Sequence, residues 1–171
     1  MNQTRAIPGE PLPSITVPLV DGGEITPGTG GGWELLVVYR GQFCPRCKKY
    51  LAKLDALADR LKAADVALLV VSADSRDEAV ADREAHGWGF PLAHSLDVDA
   101  MRALGLYVTA PDPSSANGTP YAEPGVFLTT PEGVLQIVCT SNAASFRPDL
   151  DVLVDGVEAT IAKGMPIRGL L

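Results

Sequence analysis

Two stretches of the chain are apolar at almost every position, which is typical of strands buried on both faces of a sheet. They are WELLVVY at Trp33–Tyr39 and VALLVVS at Val66–Ser72. Between them, charged residues alternate with leucines at helical spacing: Leu51, Leu54, Leu57 and Leu61. The pattern predicts an amphipathic helix over about Pro45–Ala63, since proline suits the first turn of a helix, where its missing N–H costs nothing.

After the second strand, helix and strand signals continue to alternate. Ser75–His86 is predicted to be an exposed, charged helix, because Ser75 and Glu78 have the spacing of a capping box. Phe90–Ala93 is a candidate short strand, and Val98–Leu104 is a candidate short helix that ends before a glycine. Alternating strands and helices favour a parallel sheet covered by helices.

The C-terminal third has a different pattern. Ala110–Glu123 is a polar, proline-rich loop, and the loop is followed by two apolar runs, Gly125–Leu128 and Val134–Cys139, on either side of the turn sequence TPEG. These runs predict a β-hairpin, whose antiparallel strands would make the sheet mixed. Pro148 is predicted to open a last helix with an apolar stripe.

Near the N-terminus, apolar residues alternate with polar ones over Ile15–Leu19, which predicts a short strand. Pro18 lies within this run and restricts it to a sheet edge or a hairpin arm. The chain is therefore expected to be an α/β protein with a central mixed sheet flanked by helices. Its 171 residues predict one domain over residues 1–171.

Composition and charge exclude several classes of protein. Apolar residues make up 46% of the chain, which is too many for a disordered protein. The net charge of −7, with no block of lysine and arginine, argues against nucleic-acid binding. No apolar run is long enough to cross a membrane. Residues 1–8 lack the apolar core of a signal peptide, and an odd number of cysteines, three, argues against a secreted disulfide scaffold. The expected location is therefore the reducing cytoplasm.

Two of the cysteines form the sequence Cys44-Pro45-Arg46-Cys47 at the predicted start of the long helix. At this spacing the two sulfurs lie on one face of the helix, close enough to form a disulfide. A helix N-terminus stabilises a thiolate, and nearby cations strengthen the effect; those cations are Arg40, Arg46, Lys48 and Lys49. The thiolate is the reactive form, so the motif predicts redox chemistry of sulfur.

Two alternatives exist for the cysteine pair. Half of a zinc site is one, but zinc needs four ligands, and the remaining candidates are only Cys139, His86 and His94. A pair of inert core thiols is the other, and a position between a buried strand and a helix favours reactive cysteines over it. Cys139 itself lies in an apolar strand and is expected to be an inert core thiol or a distal resolving cysteine.

The segment Val38–Lys48, which reads VYRGQFCPRCK, resembles the active-site turn of the thioredoxin superfamily. It is most similar to the peroxiredoxin-like branch of the AhpC/TSA, or redoxin, family. The likeness extends over nearly the whole chain, including VVSAD at Val70–Asp74 and the N-terminal segment from Pro8 to Gly22, which resembles the family's β-hairpin. The resemblance implies a thioredoxin-like fold with an N-terminal β-hairpin extension.

Two superpositions assign the cysteines different roles. On the thioredoxin pattern, Cys44 is the attacking sulfur and Cys47 resolves the mixed disulfide. On the peroxiredoxin pattern, Cys47 takes the peroxidatic place, Cys44 stands where a threonine belongs and Arg40 stands where a proline belongs. The arginine with which the family polarises peroxide falls at Pro124, and Arg40 or Arg147 is a candidate to replace it.

Pro124 also fits the thioredoxin side of the resemblance. That family has a cis-proline before the strand that faces the cysteines, and Pro124 stands at the matching point, before Gly125–Leu128. An ordinary trans proline is the alternative, and a cis X–Pro bond is the rarer form. The supporting residues predicted for Cys44 and Cys47 are therefore Arg40, Pro45, Arg46 and Pro124.

The resemblance implies a thiol-dependent oxidoreductase that reduces peroxide or disulfide substrates by cycling Cys44 and Cys47 between dithiol and disulfide. No metal or organic cofactor is implied, because the sulfurs carry the electrons. An external thiol, of the thioredoxin or glutathione type, would return the pair to the reduced state, and a homodimer is among the expected states. The alternatives are a protein thiol–disulfide oxidoreductase with little peroxidase activity and a non-catalytic redox-sensing module.

Overall fold

The computed structural model describes residues 6–111 and 118–170. Its centre is a five-stranded sheet in the order β5-β4-β3-β8-β9. Strand β3 pairs in parallel with β4 and antiparallel with β8, so the predicted mixed sheet is confirmed. The strands are β3 (Trp33–Val38), β4 (Val66–Val71), β5 (Leu92–Ala93), β8 (Gly125–Thr129) and β9 (Leu135–Thr140).

Four helices accompany this sheet: α1 (Pro45–Ala63), α2 (Arg76–His86), α3 (Val98–Ala103) and α4 (Leu150–Ala162). The bounds of α1 agree with the sequence-based prediction, and the capping box that begins α2 is present. Helix α4 begins at Leu150 rather than at Pro148, because the Asp149 side chain accepts hydrogen bonds from the next backbone N–H groups and caps the helix.

Two short antiparallel pairs lie outside the central sheet. Strands β1 (Val17–Pro18) and β2 (Glu24–Ile25) form the expected N-terminal hairpin, in which the predicted strand is only two residues long. Strands β6 (Val108–Thr109) and β7 (Tyr121–Ala122) form the second pair. The second pair was not predicted, since Tyr121–Ala122 lies in the segment interpreted as a loop. The middle of that segment, residues 112–117, lies outside the described residues.

The sheet separates two apolar cores because side chains alternate between the faces of a strand. Leu35 and Val37 pack on one face with residues of α1, α2 and α4, whereas Leu36 and Val38 pack on the other face with residues of α3. The C-terminal end of β3 leads directly into the segment that carries the cysteines. This edge of parallel strands is the common place for a binding site in α/β folds. No helix in the described part of the chain is long and apolar enough to span a membrane.

Candidate active site

Cys44 occupies the N-cap position of α1, and Cys47 lies one turn further along the helix. The Cys44 sulfur accepts a hydrogen bond from the backbone N–H of Cys47, with a donor–acceptor distance of 3.3 Å. Pro45 is the first residue of the helix, as predicted. Both sulfur-bearing side chains are buried, each residue being 1% exposed. All three cysteines fall within the described ranges, and none is bridged.

The pKa values of the two thiols are shifted in opposite directions. The pKa of Cys44 is lowered to about 5, chiefly because the thiol of Cys47 donates a hydrogen bond to the Cys44 sulfur. The backbone N–H of Cys47 and the charges of Arg147 and Arg40 lower this pKa further, whereas burial opposes the shift. Burial raises the pKa of Cys47, as does its hydrogen bond to Cys44. The arrangement therefore holds a thiolate at Cys44 and a proton at Cys47.

Arg147, in the segment before α4, contacts the second sulfur. Its Nη2 lies 2.9 Å from the Cys47 Sγ, and its Nη1 donates to the carbonyl oxygen of Ala144. The guanidinium carbon is 5.2 Å from the centre of the Tyr50 ring, which lies one helical turn beyond Cys47. Burial raises the pKa of Tyr50 to about 12. The Tyr50 hydroxyl therefore stays neutral, and the Tyr50 ring contacts the guanidinium through a cation–π interaction.

Arg40 approaches the pair from another side, between β3 and α1. Its Nη2 donates to the Tyr121 hydroxyl at 2.7 Å, and its Nε lies 3.2 Å from the Glu123 carboxylate. The guanidinium carbon also lies 5.3 Å and 4.9 Å from the ring centres of Phe43 and Tyr121. The β6–β7 pair, which carries Tyr121 and precedes Glu123, therefore fixes the position of Arg40 near Cys44.

A buried carboxylate supports the turn that leads to the cysteines. Asp74, which is 5% exposed, accepts hydrogen bonds from the Gln42 backbone N–H at 2.9 Å, the Tyr39 hydroxyl at 3.2 Å and the Ser72 hydroxyl at 2.8 Å. Burial raises its pKa to about 6. Sequence analysis assigned Asp74 no role, although it lies in the VVSAD segment of the family resemblance. Gly41 has a φ of +133° and no room for a side chain beside this carboxylate.

The prediction of a cis peptide bond before Pro124 is wrong. No peptide bond between described residues is cis. The backbone on both sides of the bond is held in strand pairing, because Glu123 N–H donates to the Tyr107 carbonyl and the Pro124 carbonyl accepts from Ser141 N–H. The more stable trans form satisfies this pairing. Pro124 nevertheless lies beside the site, since it lines a small pocket with Tyr50 and Arg147.

The other predicted residues occupy separate places. Arg46 lies between the two cysteines in sequence but is exposed, and its side chain lines a groove on the outer face of α1. Cys139 is a partly buried residue of β9, and burial raises the pKa of its thiol. Among the described residues, no group of three or more potential ligands could hold a metal ion.

Comparison with known proteins identifies the family. The sequence model of the AhpC/TSA family matches residues 8–138, which is most of the chain. The chain belongs to the AhpC/TSA family. A protein of Mycobacterium tuberculosis that bears the name peroxiredoxin is 29% identical to it over 106 residues, covering 61% of this chain and 67% of the relative.

Two solved structures of proteins from M. tuberculosis have the same fold. The crystal structure of the peroxidoxin BcpB from M. tuberculosis superposes with a TM-score of 0.72 and 16% identity, covering 95% of this chain and 99% of that one. AhpC from M. tuberculosis superposes with a TM-score of 0.74 and 19% identity, covering 94% and 98%. The thioredoxin-like fold is confirmed. As a member of the AhpC/TSA family, the protein is a peroxiredoxin-like, thiol-dependent oxidoreductase.

Proposed function

We propose that Cys44 and Cys47 form the redox centre of a two-cysteine peroxidase. The observation that carries this proposal is the position of both sulfurs at the start of α1, with Arg147 in contact with one and Arg40 near the other. The Cys44 thiolate attacks one peroxide oxygen and the O–O bond breaks, which gives a Cys44 sulfenic acid and a hydroxide or alkoxide. The hydroxide or alkoxide takes a proton from solvent and leaves as water or an alcohol. The Cys47 thiol then displaces water from the sulfenic acid, which leaves a Cys44–Cys47 disulfide.

The order of attack follows from the acidity of the two thiols. Cys44 is a thiolate at neutral pH because its pKa is lowered to about 5, whereas the pKa of Cys47 is raised by burial. The nucleophile in sulfur chemistry is the thiolate. Cys47 therefore serves as the resolving residue, and the Arg147 guanidinium would stabilise the charge that develops on its sulfur as its proton leaves.

Burial of the sulfurs favours peroxide over a protein disulfide as the oxidant. Each cysteine is 1% exposed. A peroxide has the size of one or two water molecules and can reach a sulfur through a small opening, whereas exchange with a protein disulfide brings a second backbone to the sulfur. The supporting residues in this proposal are Arg40, Pro45, Arg147 and Pro124. Three further expectations stay predictions: a single domain over residues 1–171, location in the cytoplasm and a homodimer.

The proposal is tested by mixing the reduced protein rapidly with hydrogen peroxide and determining the mass of the product. The wild type is expected to react much faster than a free thiol and to end with the loss of two hydrogens. Cys47→Ser is expected to stop at a sulfenic acid that dimedone traps, and Cys44→Ser is expected to react no faster than a free thiol. Cys139→Ser is the control and should behave as the wild type.

Two results would contradict parts of this proposal. Fast oxidation of Cys44→Ser would transfer the peroxidatic role to Cys47, in agreement with the peroxiredoxin superposition. Oxidation of the wild type no faster than that of a free thiol would exclude peroxide as the substrate. Rapid reduction of a protein disulfide by the same sample would then identify the protein as a thiol–disulfide oxidoreductase.

A further inference from the structure

A basic groove lies next to the second cysteine, although the protein as a whole carries a net charge of −7. The groove has a volume of about 420 Å³ and is formed by the outer face of α1 and the segment before α4. Its charged lining residues are Arg46, Lys49, Lys53, Arg147 and Asp149. A groove of this size accommodates a small molecule.

Two of the cations in the basic groove form no ion pair within the described part of the chain. Lys53 is paired with Asp149 at 3.1 Å and with Asp151 at 2.7 Å. Arg46 and Lys49, by contrast, are exposed and form no ion pair with any residue in the described ranges. Their charges are therefore available to an anionic ligand.

The basic groove adjoins the reacting atoms through Arg147. This side chain lines the groove and also lies 2.9 Å from the Cys47 sulfur. Tyr50 lines the groove as well and supports the same guanidinium. A ligand held by Arg46 and Lys49 would thus lie against Arg147, which contacts Cys47. Arg40, by contrast, approaches Cys44 from between β3 and α1.

We infer that the basic groove binds the carboxylates of a small anionic thiol, and that this thiol reduces the Cys44–Cys47 disulfide by attacking Cys47. The inference rests on the proposed function, which supplies the disulfide. Hydrogen peroxide is neutral and needs no such groove. A carboxylate-bearing thiol matches the charges of Arg46 and Lys49, which form no ion pair within the described ranges.

The chemistry of exchange agrees with attack at Cys47. The thiolate of the reductant forms a bond to the Cys47 sulfur, the Cys44–Cys47 bond breaks, and Cys44 leaves as a thiolate. A thiol of lower pKa leaves faster, and Cys44 is the more acidic of the pair. A second molecule of reductant then attacks the mixed disulfide, so that two thiols yield one small disulfide and return both cysteines to the reduced state.

The test compares glutathione, which has two carboxylates, with glutathione diethyl ester, in which both are blocked. The disulfide form is prepared with diamide and verified by mass, so the measurement does not depend on reactivity with peroxide. Rate constants for reduction are compared at equal thiolate concentrations. From the usual strength of exposed ion pairs, glutathione is expected to react about tenfold faster than the ester.

Variants locate the origin of this preference. In the double variant Arg46→Glu/Lys49→Glu, the ratio of the two rate constants is expected to fall to about one, because both free cations are reversed. The matched control Lys62→Glu/Lys163→Glu makes the same change in net charge at exposed positions at the far ends of α1 and α4, and should keep the wild-type ratio.

Either of two outcomes would overturn the inference: equal reactivity of the two thiols with the wild type, or a preference that survives in Arg46→Glu/Lys49→Glu. Failure of peroxide to oxidise the protein, with the thiol preference intact, would instead contradict the proposed peroxidase activity and leave the basic groove supported.

Discussion

At the scale of single residues, position alone gives two identical side chains opposite properties. Cys44 caps α1 and accepts a backbone N–H, whereas Cys47 lies inside the first turn and donates to its neighbour. The field of a helix N-terminus acts most strongly on the capping group. The pair therefore begins the reaction with one thiolate and one thiol, which is the combination that attack and resolution require.

The acidity of Cys44 can be measured directly. The ultraviolet absorbance of the thiolate, recorded against pH for reduced protein, is expected to rise with a midpoint near pH 5, because the pKa of Cys44 is lowered to about 5. Cys44→Ser should lack this transition, and Cys139→Ser should retain it. A first transition near the ordinary value of about 8.5 would contradict the assignment of the thiolate.

Arg147 is expected to influence both thiols. Arg147→Gln removes the donor 2.9 Å from the Cys47 sulfur and a charge that lowers the pKa of Cys44. The rate constant for formation of the disulfide from the Cys44 sulfenic acid at pH 6 is expected to fall about tenfold or more, since the Cys47 sulfur loses a charge-assisted hydrogen bond, which contributes about 1.5–3 kcal/mol. Arg102→Gln, at an exposed position in α3, is the control. An unchanged rate and an unchanged pKa of Cys44 would show that the contact does not affect the reaction.

Sequence analysis could predict the cysteines but not most of the side chains around them. Cys44, Pro45 and Cys47 lie within four consecutive positions, so the geometry of one helical turn fixes their relative positions. Arg147 is one hundred positions beyond Cys47 and Asp74 is thirty-two beyond Gln42. Such contacts depend on how the elements pack. The sequence named Arg147 as a candidate to replace the family's arginine but could not give its partner, and Asp74 entered only through the family resemblance.

At the scale of elements, the turn between β3 and α1 depends on a carboxylate from the end of the next strand. Asp74 accepts from Gln42 N–H and from the Tyr39 hydroxyl, which ties both ends of the turn to β4. The Asp74 carboxyl group is buried away from water, and this burial raises its pKa to about 6.

This burial predicts a pH-dependent stability that Asp74→Asn should abolish. Between about pH 4 and 6, the folded protein holds a proton on Asp74 that the unfolded chain has lost. The free energy of unfolding of the wild type is therefore expected to fall with rising pH by about 3 kcal/mol relative to that of Asp74→Asn. Urea unfolding of both proteins from pH 4 to 7 measures the difference, and parallel curves would contradict it.

Long elements with a strong apolar pattern were predicted well, whereas one short strand pair was missed. The bounds of α1 and the pairing of β8 with β9 follow from patterns within each segment. The β6–β7 pair consists of two residues on each side, which is too short for a periodic pattern. Each of these strands exists only because it pairs with the other, and the sequence pattern of one segment does not reveal such pairing.

At the scale of the whole molecule, the redox state and the folding stability are linked through Cys44. A thiol whose pKa is lower in the folded protein than in the unfolded chain stabilises the fold when the thiolate is present. The oxidised protein has no thiolate at Cys44 and lacks this contribution. The low pKa therefore favours the reduced protein and makes the disulfide easier to reduce.

The link can be measured as a difference between two stabilities. The free energy of unfolding of the reduced form, minus that of the oxidised form, is expected to increase as the pH rises from about 5 to 8.5, the interval between the folded and unfolded pKa values of Cys44. Urea unfolding with and without a reductant gives both values. A difference that does not change with pH over this interval would contradict the linkage.

The near-complete burial of both sulfurs also affects how the protein is detected in cells. Surveys of reactive cysteines commonly label proteins with bulky maleimide or aryl electrophiles, and intensity of labelling is then taken as reactivity. A probe of that size is expected to react with Cys44 more slowly than the acidity of the thiol suggests, because the residue is only 1% exposed. Such a survey would underestimate the reactivity of this protein, whereas a probe as small as peroxide would report it.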